Sequence, residues 1–162
     1  IEDDDVTVRK NAASFLALAT RNKNILDDLN KITTRLKKEK LEDRAPFMKI
    51  IALLARTDPK EIEDQLIIEH VKKSEGETLI ASLNALAQLT KHGLCSPTSL
   101  VKPLLTHKDP HIRQDAAAIV CFISERNPKE IDETTKNRLK KLKHDDHEEV
   151  RHNAEEALGY LG

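Results

Sequence analysis

The chain has 162 residues, of which 34% are charged, 38% hydrophobic and only 2% aromatic, and its formal net charge is −1. A near-neutral chain has no global attraction for nucleic acid or for an anionic membrane, and few aromatic side chains are present to stack on bases. No apolar run approaches the length of a membrane span, so no membrane partner is expected. The two cysteines, Cys95 and Cys121, stand far apart without a motif, which favours a reducing, cytoplasmic location over a disulfide framework.

Apolar residues recur at helical spacing along the chain and predict an all-α protein. The predicted helices are Val6–Arg21, Ile25–Lys40, a segment ending near Arg56, a segment opened by Asp58 and Pro59, Glu77–His92, a short segment opened by Ser96 and Pro97, Asp109–Arg126, Pro128–Lys143 and Glu148–Leu161.

Several residues predict where these helices begin, bend and end. Asp43 is a candidate N-cap for the helix that contains Pro46 in its first turn. Gly93 is placed to end the helix before it, because glycine readily adopts the left-handed conformation at a helix C-terminus. Pro103 falls inside a short helix and should bend or break it, since proline removes a backbone hydrogen bond.

One pattern recurs with a period of 34 to 38 residues. It is clearest in Asp109–Ser124, where an Asp-Pro helix start is followed by Arg113 and an alanine-rich apolar helix. The positions equivalent to Arg113 are Arg9, Arg44, Leu79 and Arg151. The positions three, six, seven and ten residues after each of these are apolar or small in nearly every copy. This period predicts stacked helical repeats, in an α-α superhelix of about four and a half helix-turn-helix units.

The stretches DPHIRQDAAAIVCFI, DDHEEVRHNAEEALGYLG and DDDVTVRKNAASFLALA resemble HEAT repeats, in particular the short HEAT-like repeats of phycobilisome lyases. That family has an Asp in the turn between helices, then Val-Arg, then an alanine-rich second helix. Asp5 with Arg9 and Asp109 with Arg113 match this pattern, while Leu79 replaces the Arg in the third copy. The resemblance covers the whole chain and implies a HEAT-like solenoid, but it implies little about function.

The sequence shows no linker, which predicts one continuous HEAT-like repeat domain over residues 1–162. The chain opens inside a repeat, so we expect it to be part of a longer solenoid. An uncovered apolar end at the first unit would favour end-to-end self-association.

The recurring Asp and Arg residues have two interpretations. They could bind a ligand, or each Asp could cap a helix and pair with an Arg of its own or the adjoining repeat. A regular recurrence at a turn beside a packed helix favours the structural interpretation.

Histidines and carboxylates cluster in 144–149 and again around His107 and His111, but neither group has metal-ligand spacing on one helix face. Val150–Ala154 resembles the metal-binding helix of deoxyhypusine hydroxylase, a HEAT-repeat di-iron enzyme. That family has His-Glu pairs just after the repeat Arg, and here those positions read His152-Asn153 and Gln114-Asp115. We therefore predict no metal, no cofactor and no enzymatic activity.

A basic row stands twelve residues after the anchor of the first three copies, at Arg21, Arg56 and Lys91. These cations could bind phosphates or an acidic peptide along one rim. Alternatively, they could complement the dipoles at helix C-termini and remain solvated.

HEAT second helices line the concave side of the solenoid, where family members usually bind partners. The candidate partner-binding residues at positions outside the core are Lys10, Ser14, Lys49, Gln88, Gln114, Phe122, His152 and Tyr160, with Arg21, Arg56 and Lys91 on the rim. Leu18, Leu53, Phe122 and Tyr160 share the position nine residues after the anchor. They could form an exposed partner groove or pack on the next repeat. The predicted function is a non-catalytic scaffold for a protein partner, and the alternative is a nucleic-acid or phosphate binder.

Overall fold

The computed structural model describes residues 32–34 and 36–162, and all of the regular elements in that part of the chain are helical. The α-helices are α1 (residues 32–34 and 36–38), α2 (Ala45–Thr57), α3 (Asp64–Lys73), α4 (Gly76–Lys91), α5 (Thr98–Val101), α6 (Pro110–Arg126), α7 (Glu133–Leu142) and α8 (Glu148–Leu161). Short 3₁₀ turns are Leu41–Asp43, Pro59–Glu61, Lys102–Thr106 and Pro128–Glu130.

The chain divides into two compact units, and the boundary follows Gln88 within α4. In the described part of the first unit, apolar residues of α2, α3 and α4 build the core. The apolar stripe of α2 is Phe47, Ile50, Ile51 and Leu54, at i, i+3, i+4 and i+7, and each of these residues is at most 2% exposed. These are the core positions that the repeat pattern predicts. The prediction of a single domain over 1–162 stays a prediction.

In the second unit, α6 packs against α8, and α7 packs against α8. The predicted stripe of α6 is buried at Ala116, Ile119, Val120 and Ile123. Pro103 interrupts the preceding helix as predicted, so that α5 ends at Val101 and a 3₁₀ turn follows. Gly93 adopts a φ of 73° just after α4 and ends it, also as predicted.

Three predicted helix starts are wrong. The helix predicted to open at Asp58 and Pro59 begins at Asp64, because residues 59–61 form a 3₁₀ turn. Asp43 does not cap α2, because residues 41–43 form a 3₁₀ turn and the N-cap is Arg44, which makes no side-chain capping bond. The helix predicted to begin at Pro128 begins at Glu133. The side chain of Asp132 accepts a hydrogen bond from the backbone N–H of Thr135 and defines that start.

The second unit contains the arginine–aspartate pair that the repeat pattern predicts. Arg113 donates two hydrogen bonds to Asp145, from Nε to Oδ2 at 2.7 Å and from Nη2 to Oδ1 at 2.9 Å. Its Nη1 donates to the carbonyl oxygens of His107 and Lys108. Asp109 caps α6 by accepting from the N–H of His111. The recurring Asp and Arg are therefore structural here, since they tie one repeat to the next.

The equivalent arginine in the first unit, Arg44, has a different partner. Its Nη1 lies 3.2 Å from Nε2 of His70, which is only 5% exposed. The Nδ1 of His70 lies 2.8 Å from the carbonyl oxygen of Leu66, so His70 donates there and accepts from Arg44 in its neutral form. Burial lowers the pKa of His70, and the positive charge of Arg44 adds to that effect.

Candidate partner-binding site

A groove lies between α2 and α4 in the first unit, and we call it the α2–α4 groove. It has a cavity volume of about 370 Å³. Its described lining residues are Lys49, Ala52, Leu53, Arg56, Ile80, Ala81, Asn84 and Gln88. Three residues predicted as partner-binding, Lys49, Arg56 and Gln88, are thus brought together in one groove.

Helical geometry explains why these residues share one face. Lys49, Leu53 and Arg56 stand at i, i+4 and i+7 of α2, a stripe adjacent to the one that the core buries. Asn84 and Gln88 are likewise four residues apart on α4. The apolar stripe of α2 fixes the rotation of the helix, and that rotation turns the three groove residues toward the outside.

Leu53 is the apolar centre of the groove. Its side chain is 41% exposed, although leucine is ordinarily among the most buried residue types. Tyr160, at the same repeat position in the last copy, is also 41% exposed, and Phe122 is half-buried. Of the two interpretations of this position, the exposure of Leu53 supports an exposed surface over packing on the next repeat.

Positive charge flanks Leu53 on both sides. Lys49 Nζ lies 3.8 Å from a carboxylate oxygen of Glu77, but both side chains are largely exposed, so this pair contributes little. Arg56 lies in the last turn of α2 and forms no ion pair with any residue that the structure describes. The groove therefore offers two cations to a ligand at its two ends.

Polar groups of α4 complete the lining. Asn84 Nδ2 donates to the carbonyl oxygen of Ile80 at 3.1 Å, which holds this amide against its own helix. Gln88 is half-buried one turn further along. Amide side chains both donate and accept hydrogen bonds, so this wall suits a polar ligand edge.

The corresponding face in the second unit, between α6 and α8, carries carboxylates. Phe122, Glu125, Glu156 and Tyr160 belong to it, and the negative charge of Glu125 raises the pKa of Tyr160, with burial and then Glu156 adding to the effect. His152 Nε2 lies 4.0 Å from a carboxylate oxygen of Glu156. We call this the α6–α8 face.

Gln114 has a structural contact there, because its backbone carbonyl accepts a hydrogen bond from Asn153 Nδ2 at 3.2 Å. The four predicted residues Gln114, Phe122, His152 and Tyr160 all belong to α6 or α8.

Two described cations have local partners: Lys91 of the predicted basic row, and Arg126, which stands beside the row's position in the fourth copy. Lys91 Nζ lies 5.9 Å from the centre of the Phe122 ring, a cation–π contact. Arg126 Nη1 donates to the carbonyl oxygen of Thr90 in the last turn of α4. A cation satisfying a helix C-terminus is the structural interpretation of this row. Arg21, Lys10 and Ser14 lie outside the described residues.

The chemistry of the described residues is sparse. Cys121 is buried on α6, and burial raises the pKa of its thiol to about 12, which keeps it protonated and unreactive. Cys95 is half-buried, and its Sγ lies 3.4 Å from Thr90 Oγ1. Between residues 32 and 162, no three His, Cys, Asp or Glu side chains come together in a way that could hold a metal ion.

The structure resembles several solved structures of designed proteins. An engineered protein, Northeast Structural Genomics Consortium target OR329, matches with a TM-score of 0.78 and 18% identity over 99% of this chain and 75% of that chain. A designed armadillo repeat protein in complex with the peptide (KR)4 matches with a TM-score of 0.73 and 16% identity, over 99% and 78% of the two chains.

The chain has an all-α, helical-repeat fold. A third match supports this statement: a computationally designed armadillo repeat protein for modular peptide recognition, with a TM-score of 0.65, 17% identity and coverage of 99% and 79%. The structural similarity establishes the fold class, that of the α-α superhelices. At such low sequence identities it establishes no more than the fold. No protein-family model and no curated protein matches the sequence. The finer assignment to HEAT repeats, and within them to the phycobilisome-lyase type, stays a prediction.

In the part of the chain that the structure describes, no helix combines the length and the apolar character that crossing a bilayer demands.

Proposed function

We propose that this chain is a non-catalytic scaffold that holds a partner protein in the α2–α4 groove. The observation that carries this proposal is Leu53, an exposed apolar side chain with a cation on each side and a polar wall opposite. An apolar centre within a polar rim is the usual anatomy of a protein-binding surface. We also propose that the protein acts in the cytoplasm, where its two cysteines would stay reduced.

The fold comparison supports a protein partner. One structural neighbour is a designed armadillo repeat protein in complex with a peptide, and another was designed for peptide recognition. A rigid helical-repeat surface can hold an extended or helical segment without any chemistry of its own.

The alternative, nucleic-acid or phosphate binding by the basic row, has less support. Of its predicted cations in the described residues, Lys91 contacts Phe122, and only Arg56 faces a groove. A strong polyanion site would need several cations that converge on phosphates.

Site-specific photocrosslinking in the source cells tests the scaffold proposal. A photoreactive amino acid at position 53 should capture a partner protein, and mass spectrometry should identify the crosslinked segment. The matched control places the same amino acid at Lys72, an exposed position on α3 outside the groove. Equal capture at both positions, or capture of nucleic acid at position 53, would overturn the proposal.

A further inference from the structure

We propose that the occupant of the α2–α4 groove is an acidic amphipathic segment of the partner protein. This segment carries two carboxylates about 10 Å apart, which pair with Lys49 and Arg56, and an apolar side chain between them, which packs on Leu53. The inference rests on the proposed function and names the chemistry of its ligand.

The spacing of the two cations sets the spacing of the carboxylates. Lys49 and Arg56 are seven residues apart on α2, and a helix rises about 10 Å over that distance. Seven residues make about two turns, so both side chains project from the same side of α2. A second helix that lies along the groove meets them with carboxylates at its own positions i and i+7.

Leu53 sets the middle of the motif. It lies between the two cations on α2, and Ala52 and Ala81 also line the groove beside it. The small alanines let another backbone approach closely, so an apolar side chain at position i+3 or i+4 of the bound helix can cover Leu53. This arrangement matches recognition of an amphipathic helix by a groove with anchors at i, i+4 and i+7.

The existing contacts of the groove favour an acidic ligand over a neutral one. Lys49 already lies near a carboxylate, that of Glu77, at 3.8 Å, and this pair is solvent-exposed and weak. A ligand carboxylate held beside the partly covered Leu53 would be less hydrated, and its hydrogen bond to Lys49 would be stronger. Arg56 can accept a carboxylate in a bidentate geometry.

Fluorescence anisotropy with synthetic peptides tests the inference on the full chain. The probe is a labelled alanine-rich helical peptide with Glu at i and i+7 and Leu at i+4. One matched peptide has Lys in place of both Glu residues, and a second has Asn in place of the Leu. A labelled single-stranded DNA oligonucleotide tests the polyanion alternative.

The expected result is that the Glu peptide binds and that both matched peptides bind more weakly. Arg56→Glu and Lys49→Glu should each weaken binding of the Glu peptide about tenfold or more, as expected for the loss of a charge-assisted hydrogen bond. Arg56→Gln should weaken it less, because it removes the attraction without adding repulsion. Lys72→Glu makes the same charge change outside the groove and should leave the affinity within about twofold, because solvent and salt screen a distant exposed charge.

Four results would overturn the inference. The first is binding of the Lys peptide that equals or exceeds binding of the Glu peptide. The second is that the oligonucleotide binds more tightly than the Glu peptide and that the Arg56 and Lys49 variants lose this binding. If none of the three peptides binds while crosslinks at position 53 still capture a protein, the proposed acidic ligand is wrong and the scaffold proposal stands. If crosslinks at position 53 are absent as well, both proposals fail.

Discussion

The repeat arginine shows how one side chain holds this fold together. Arg113 donates to both oxygens of Asp145 and to two backbone carbonyls, and the side chains of Arg113 and Asp145 are 16% and 8% exposed. Hydrogen bonds from Arg113 keep the pKa of Asp145 below its ordinary value. This pair connects the turn before α6 to the turn before α8, so it fixes the position of one repeat against the next.

We expect Asp145→Asn to reduce the free energy of unfolding by about 2–4 kcal/mol, because it leaves a mostly buried guanidinium without its charged partner. Urea denaturation at neutral pH measures this change. Asp146→Asn removes an exposed carboxylate next in sequence and is the control, with an expected change below about 0.5 kcal/mol. A similar loss in both variants would show that net charge, rather than the pair, is responsible.

The Arg44–His70 contact makes the first unit sensitive to acid. Burial first, then Arg44, lowers the pKa of His70 from its ordinary 6.5. A base whose pKa is lowered by folding contributes stability above pH 6.5 and loses it as the pH falls through the folded-state pKa. We expect exchange protection of α3 amides, corrected for intrinsic rates, to fall below pH 6.5 in the native chain. His70→Gln should show a smaller fall. An equal fall in both proteins would contradict this assignment.

The contribution of Asp115 on α6 to stability has the opposite pH dependence from that of His70. Burial raises its pKa to about 7, so the folded state favours the neutral acid, and stability is greatest at low pH and is lost as the pH rises through 7. We expect Asp115→Asn to raise the free energy of unfolding at pH 8 by about 1–3 kcal/mol, since a pKa difference of one corresponds to about 1.4 kcal/mol. The gain should shrink toward pH 4. Urea titrations at pH 4 and pH 8 measure it, and a gain that is equal at both values would exclude burial of the charge as its cause.

At the scale of the element, the end of α4 depends on one glycine and one arginine. Gly93 has a φ of 73°, and the N–H of Leu94 bonds back to the carbonyl oxygen of Leu89. Arg126 from the end of α6 donates to Thr90, and a Cβ on Gly93 would lie 3.3 Å from its Nη1. Backbone conformation and side-chain space therefore both favour glycine here.

Gly93→Ala should lower the free energy of unfolding by about 1–2 kcal/mol, because the left-handed conformation strains any residue with a Cβ. Gly159→Ala is the matched control. Gly159 lies inside α8, and a Cβ there would meet nothing within 4 Å. This control should be stabilising by about 0.5–1 kcal/mol through helix propensity. Thermal denaturation of both variants checks the signs, and stabilisation by both would show that the conformation at position 93 is not restrictive.

Predictions of helix positions were confirmed where a single sequence signal, such as apolar periodicity or a proline, acted alone. The apolar stripes of α2 and α6 and the bounds of α8 followed from helical periodicity, and Pro103 broke its helix. The predicted helix starts at Asp43, at Asp58-Pro59 and at Pro128 were wrong. At these starts an acidic residue and a proline competed as helix-start signals, and tertiary packing decided between them.

At the scale of the whole molecule, the repeat period predicted the helical-repeat fold from sequence alone. Three residues predicted from their repeat positions, Lys49, Arg56 and Gln88, line the α2–α4 groove, and their role in binding stays a prediction. The partners of Lys91 and Arg126 could not be predicted, because they depend on how the chain turns after α4. The raised pKa of Asp115 could not be predicted either, since its burial is a property of the packed unit.

A repeated helix pair presents a similar backbone surface in each copy. The backbone alone would therefore allow a ligand to bind at more than one repeat. The α6–α8 face is such a surface, but it carries Glu125 at the repeat position of Arg56, and Glu156 at the repeat position of Asn84. The acidic segment that we propose for the α2–α4 groove would be repelled by Glu125 and Glu156 at that face. On this proposal, side-chain charge discriminates between copies that the backbone makes equivalent, and repulsion contributes to the binding register of the partner.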